Sequence, residues 1–195
     1  MALTLAGIAV PVWRLEKIVG KPVLLLGRFD RAKEVRVPFL SAMSMLDASD
    51  GEPRSYLEFV DVLRRYGASA KEDMAELWRR IVFSILISNT DDHLRNHGFL
   101  YAGPAGWRLS PAYDLNPVPV EVKPRVLSTA INMDDGTASL ELAMEVAGYF
   151  ELKVQRAREI AGEVGKAVAE WRAVAGRFGL AAGEMERMAS AFEHG

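Results

Sequence analysis

The stretch from Ser69 to Ser88 constrains the fold more than any other. Its charged residues all lie between Lys71 and Arg80, whereas from Ile81 to Ile87 every residue but Ser84 is apolar. A helix that is apolar nearly all round has to be buried on every side. The second half is therefore predicted to run through the middle of a core, with Ile81, Val82, Ile85, Leu86 and Ile87 deeply buried. Ser69-Ala70-Lys71-Glu72 reads as a capping box at its start, and Asn89-Thr90 breaks it. The chain can build such a core: 195 residues, 50% of them hydrophobic and 26% charged, make one domain or one and a half at ~150 residues each. That composition excludes a largely disordered chain.

Other classes fall away quickly. With no cysteine, disulfide scaffolds, zinc-thiolate sites, iron–sulfur clusters and thiol catalysis are excluded. A net charge of -2 argues against a broad basic nucleic-acid surface, so no direct nucleic-acid contact is expected. No apolar run approaches the ~20 residues that cross a bilayer. The apolar start lacks a positive n-region and runs into Pro11, unlike a secretory signal. A cytoplasmic location is expected.

Along the chain, Gly7 is expected to close a short helix end. Val12–Lys17 and Val23–Leu26 flank Gly20-Lys21-Pro22 as a hairpin whose second strand is buried. After Asp30 the pattern turns helical. Ser55-Tyr56-Leu57-Glu58 is a capping box heading a helix that Gly67 ends. Beyond the central helix, a polar loop leads into a second hairpin, Gly98–Tyr101 and Trp107–Leu109. A proline-punctuated stretch follows, with a short strand at Val126–Asn132, and helices at about 138–147, 152–177 and 183–192.

The segment Ser88-Asn89-Thr90-Asp91-Asp92-His93-Leu94-Arg95-Asn96-His97 sets many polar groups between a buried helix and an apolar strand, where a rigid scaffold can aim them. Asp91 and Asn96 are five apart. Protein kinases use that interval for a carboxylate that orients a hydroxyl proton and an amide oxygen that meets a magnesium ion on the nucleotide phosphates. A second hard-oxygen ligand should follow a short hairpin, and Asp114 stands there. The oxygens of Asp91, Asn96 and Asp114 are expected to converge on one pocket.

At these residues the sequence resembles the HipA-type serine/threonine kinases, the toxin halves of bacterial toxin–antitoxin pairs. Asp91–Asn96 fits their D-x-H-x-K/R-N loop. Leu109–Asp114 fits L-[ST]-P-x-Y-D, and Gly27–Arg31 fits E-R-F-D-R with Gly27 in place of the hinge glutamate. The resemblance runs from about Gly7 to Phe192. It implies an α+β, kinase-like architecture: residues 1–31 as what remains of an N-terminal lobe, a β-hairpin and hinge, and residues 32–195 as a mainly helical C-terminal lobe. The cofactors it implies are ATP and Mg²⁺. Asp91 would be the catalytic base. Gly27, Arg28 and Phe29 would face the adenine, and His93, Leu94, Arg95 and Asn96 would line the phosphate side. Tyr113 and Asp114 would border the nucleotide, and Asn96 and Asp114 would ligate the metal. The implied partners are a protein substrate of the translation machinery, such as a translation factor or aminoacyl-tRNA synthetase, and a DNA-binding antitoxin.

One departure matters. The family's glycine-rich phosphate-covering loop and its lysine have no counterpart before residue 91; Lys17, Lys21 and Lys33 follow no such loop. The N-terminal lobe is therefore expected to be reduced to its last strands. The rival to an active kinase is an inactive fragment or binding module that engages an antitoxin or a partner chain supplying that lobe. Plainer readings also exist: Asp91 and Asp92 as turn caps, His97 as a structural group, and His93 with His97 as a metal pair lacking a third ligand. A magnesium phosphohydrolase using the same three oxygens rests on nothing further.

Overall fold

The computed structural model describes residues 2–33 and 35–194. A short helix α1 (Ala2–Leu5) ends at Gly7, whose φ of 72° suits a residue without a side chain. The hairpin β1 (Trp13–Ile18) and β2 (Lys21–Leu26) follows, Trp13 facing Leu26 and Ile18 facing Lys21. Two-residue strands β3 (Arg31–Ala32) and β4 (Val35–Arg36) pair with each other, and β5 (Phe39–Ser41) leads into α2 (Ala42–Met45). Then come α3 (Tyr56–Tyr66), α4 (Ala70–Leu86), β6 (Gly98–Tyr101) and β7 (Trp107–Leu109). Four helices complete the chain: α5 (Leu140–Val146), α6 (Val154–Ala169), α7 (Trp171–Arg177) and α8 (Ala182–Met188). The fold is α+β, with a short N-terminal hairpin and a mainly helical C-terminal region.

Helix α4 is the centre. It packs on α3, α5 and α6 and touches β7. Ile81, Val82, Phe83, Ile85 and Ile87 are all buried, and Trp78 is sealed within the core while donating Nε1–H to the Ala143 carbonyl at 3.1 Å. Leu86 is only half-buried at the rim. Two charges of α4 are also inside. Asp73 accepts from Arg108 and from the Leu109 amide. Arg80, 3% exposed, donates to Glu76 and to the Ser110 carbonyl at 2.8 Å. Buried charges persist only when paired, and these pairs fasten α4 to the strand that ends at Leu109.

The sheet β5-β6-β7 is antiparallel, Leu40 facing Phe99 and Phe99 facing Leu109. Its hairpin turns at Gly106, with φ 116°, where a Cβ would sit 2.2 Å from the Tyr66 carbonyl oxygen. Only glycine allows that approach. The capping box of α3 forms as expected, Ser55 accepting from Leu57 and Glu58 from Ser55.

Several local expectations need correction. The Ser69 box does not form: its side chain caps nothing, and Glu72 reaches Arg108 instead. Strand β2 is not buried: Leu24 and Leu26 are 56% and 49% exposed, because they line an open cavity rather than a packed core. The stretch after Asp30 makes three short strands before any helix, β3 and β4 pairing with each other and β5 with the distant β6, so strand partners outweigh local helical pattern. Val126–Asn132 forms only isolated bridges, Val126 with Thr137 and Ala130 with Ser55. The 152–177 pattern breaks at Glu170 into α6 and α7.

Candidate functional site

The loop that leaves α4 is locked from beneath by its own second aspartate. Asp92 is buried, and its Oδ2 accepts from the Tyr56 hydroxyl and from Ser84 Oγ at 3.2 Å. Its Oδ1 lies 2.9 Å from His97 Nε2. Burial alone would push the Asp92 carboxyl up, but His97, Tyr56 and Ser84 together hold it below the usual carboxylate range. The same burial and the nearby carboxylate push the Tyr56 phenol well above its ordinary value. Asp92 and His97 thus close the loop at both ends. Thr129 Oγ1 adds a bond to the Asp92 carbonyl at 2.7 Å, and Ser128 Oγ one to the Thr90 carbonyl at 2.9 Å.

On that base the loop alternates. Asp91 is exposed, with Lys123 Nζ 3.7 Å from its Oδ1. Asn96 is largely buried and donates its amide to the Asp91 carbonyl at 3.1 Å. That bond fixes which way the Asn96 carboxamide is turned. Leu94 is buried, while Arg95 is exposed and paired with Asp50.

The segment after β7 meets the loop. The Ser110 amide bonds to the Gly98 carbonyl at 2.8 Å and the Ala112 amide to the Ala9 carbonyl at 2.7 Å. Tyr113 donates its hydroxyl to the Arg95 carbonyl at 2.8 Å, and burial pushes its phenol up to about 12. Phe29 stacks on the Tyr113 ring, centroids 5.6 Å apart. Asp114 follows with φ 57° and accepts from Asn116 Nδ2 at 2.7 Å.

Of the residues singled out in the sequence, Gly27, Arg28, Phe29, Arg95 and Tyr113 share one cavity of about 460 Å³ with Leu26 and Phe39. Asp114 borders a second cavity of about 370 Å³ beneath the hairpin, which shares Pro11, Leu26 and Tyr113 with the first. His93 and Leu94 face elsewhere, in a cavity of about 330 Å³ lined also by Asp50, Arg54 and Thr129, with Arg95 between the two sides. Asp91 and Asn96 border none of these three. Among the described residues no group of three or more His, Asp or Glu could hold a metal by itself. Asn96 and Asp114 nevertheless offer the hard oxygens magnesium takes, one neutral and one anionic, and such an ion usually completes its shell with waters and substrate phosphates.

Sequence reasoning missed the depth of Asp92 and its tie to Tyr56, 36 residues away, and it missed Lys123. Neither carries a local pattern. The nearest signal is the capping box that places Tyr56 at the start of α3.

An α+β lobe in which a buried helix presents a polar loop to a hairpin and a Tyr-Asp segment is a known arrangement, and comparison identifies it. The family model described as HipA-like C-terminal domain matches residues 1–171, and the chain belongs to that family. A chain from the Shewanella oneidensis toxin–antitoxin complex of HipA, HipB and operator DNA superposes with a TM-score of 0.74, covering 97% of this chain and 51% of that one at 17% identity. Sinorhizobium fredii "Putative kinase Y4dM" is 37% identical over 95 residues, 47% of this chain and 23% of the relative. A Haemophilus influenzae protein also named as a kinase is 26% identical over 117 residues, 55% of this chain and 34% of the relative. The chain thus spans about half of the structural relative, and its matches cover 23% and 34% of these curated ones.

Proposed function

We propose that the chain is the catalytic lobe of an ATP- and Mg²⁺-dependent serine/threonine protein kinase. Residues 1–31 supply the hinge and last strands of one lobe, and residues 32–195 the other. The observation that carries this reading is the bond from Tyr113 to the Arg95 carbonyl with Phe29 stacked on Tyr113. It draws the three segments that resemble the family's hinge, loop and Tyr-Asp motif to one place.

Phosphoryl transfer asks for positioning and charge more than for covalent chemistry. Asp91, held out to solvent on a buried base, orients the acceptor hydroxyl and takes its proton. Gly27, Arg28 and Phe29 face the adenine, and Tyr113 closes that cavity. The backbone of His93, Leu94 and Arg95 follows the phosphate side. Asn96 and Asp114 are the residues that would hold magnesium, which would offset the negative charge of the phosphates. The acceptor is a protein hydroxyl, and the translation machinery is the proposed source. A DNA-binding antitoxin is the proposed partner, in keeping with the HipB of the Shewanella complex.

These 195 residues hold no glycine-rich loop followed by a lysine ahead of Asp91. Each charge-assisted contact contributes ~1.5–3 kcal/mol, so two or three missing ones weaken nucleotide binding by a hundredfold or more. The 195 residues alone should bind Mg-ATP weakly and transfer little. Supplying the covering lobe, fused or in trans, should give transfer of labelled γ-phosphate to protein. Asp91→Asn should then lower it by ~10²–10⁴. A completed protein with no transfer would favour the inactive binding module, and transfer that survives Asp91→Asn would remove Asp91 from its role.

A further inference from the structure

We propose that Lys123 binds the transferred phosphoryl group, supplying the cation on the acceptor side of the site; this rests on the kinase reading above. Lys123 lies in the proline-rich stretch after Asp114, in a turn closed by its amide on the Pro119 carbonyl at 3.3 Å. Its ammonium reaches back to the loop, 3.4 Å from the Thr90 carbonyl and 3.7 Å from Asp91 Oδ1. The bland account is that it satisfies the Thr90 carbonyl. Ser128 Oγ already does so at the shorter 2.9 Å. Its pairing with Asp91 is equally loose, with side chains 45% and 69% exposed, and a surface pair of that kind contributes little to stability. An ammonium has three donors, so at least one of Lys123's remains for a ligand.

The other cations near the loop are committed. Arg95 is paired with Asp50, and Arg125 donates to Ser88 Oγ and the Ile85 carbonyl. A γ-phosphoryl group in flight spreads negative charge over three oxygens and passes to the hydroxyl that Asp91 orients. A cation 3.7 Å from Asp91 is therefore beside the transferred group. It also keeps the carboxylate and the incoming phosphoryl, both anions, from repelling each other directly.

The geometry makes a distinction that a structural role does not: ATP carries the group Lys123 would touch, and ADP does not. In ³¹P titrations of the 195-residue chain with millimolar Mg-ATP and Mg-ADP, the wild type should prefer ATP. Lys123→Met should weaken ATP by about tenfold, one charge-assisted contact, and leave ADP unchanged. Lys123→Arg should keep most of the preference. A wild type that binds both nucleotides alike, or a Lys123→Met chain that loses both equally, would overturn the proposal. The kinase reading fails separately, by absence of Asp91-dependent transfer in the completed protein. In that protein Lys123→Met should cut turnover at saturating ATP by tenfold or more, and unchanged turnover would count against Lys123 alone.

Discussion

Two apolar runs of this chain meet opposite fates. Ile81–Ile87 lies inside, under α3, α5 and α6, while Val23–Leu26 lies on an open hairpin with Leu24 and Leu26 about half exposed. Their compositions barely differ. What differs is what the rest of the chain brings to them. The α4 run has helices on several sides, and two buried charged side chains of the same helix tie it outward, Asp73 to Arg108 of β7 and Arg80 to the Ser110 carbonyl, so its position is determined many times over. The hairpin has only its own ladder and a cavity below it, with the Trp13 ring 5.9 Å from Phe178 as a distant brace. Apolar sequence states that a segment gains by burial; it does not say that a partner is present.

The contrast can be broken most forcefully from the buried side. Ile85→Ala should destabilise the chain by ~2–5 kcal/mol, read as a lower urea midpoint. A cost below 1 kcal/mol would mean that α4 is not the central helix. Tyr56→Phe removes a donor from buried Asp92 and should cost ~1–3 kcal/mol. It also carries a pH signature. Because the folded Asp92 is held below its unfolded range, its contribution is fully present above about pH 4 and lost as pH falls through the folded value. Tyr56→Phe should narrow that acid-side loss, measured as stability between pH 2 and 7, and a wild type whose stability is flat there would refute the paired Asp92. The smallest effect belongs to the hairpin. Leu24→Ser should change stability by less than ~0.5 kcal/mol in these 195 residues. In the completed protein the same change should cost ~1.5–3 kcal/mol if a covering lobe buries it, which sharpens the comparison directly.

The candidate site divides along the same line. The groups that stand in motifs were legible: Asp91, Asn96, Tyr113 and Asp114 lie in short patterns whose spacing carries meaning. The groups that hold them were not. Asp92 reads as a second turn aspartate, yet it is the buried one, and its partners come from α3, α4 and His97. Lys123 has no motif and becomes visible only because the chain folds back on Thr90.

By itself the sequence determined what short-range chemistry can determine. It specified a buried helix from 3.6-residue patterning, the box at Ser55, the hairpin at Gly106 and the order of loop, hairpin and Asp114. Tertiary structure decided whatever depends on a distant partner. Three residues became a strand at Phe39–Ser41 because Gly98–Leu100 lay alongside to pair with them. The Ser69 box gave way because Arg108 claimed Glu72. Asp92 went in and Asp91 stayed out, because only one of two adjacent carboxylates could reach Tyr56, Ser84 and His97. A buried charge is tolerated only where such partners exist, and no local pattern announces them.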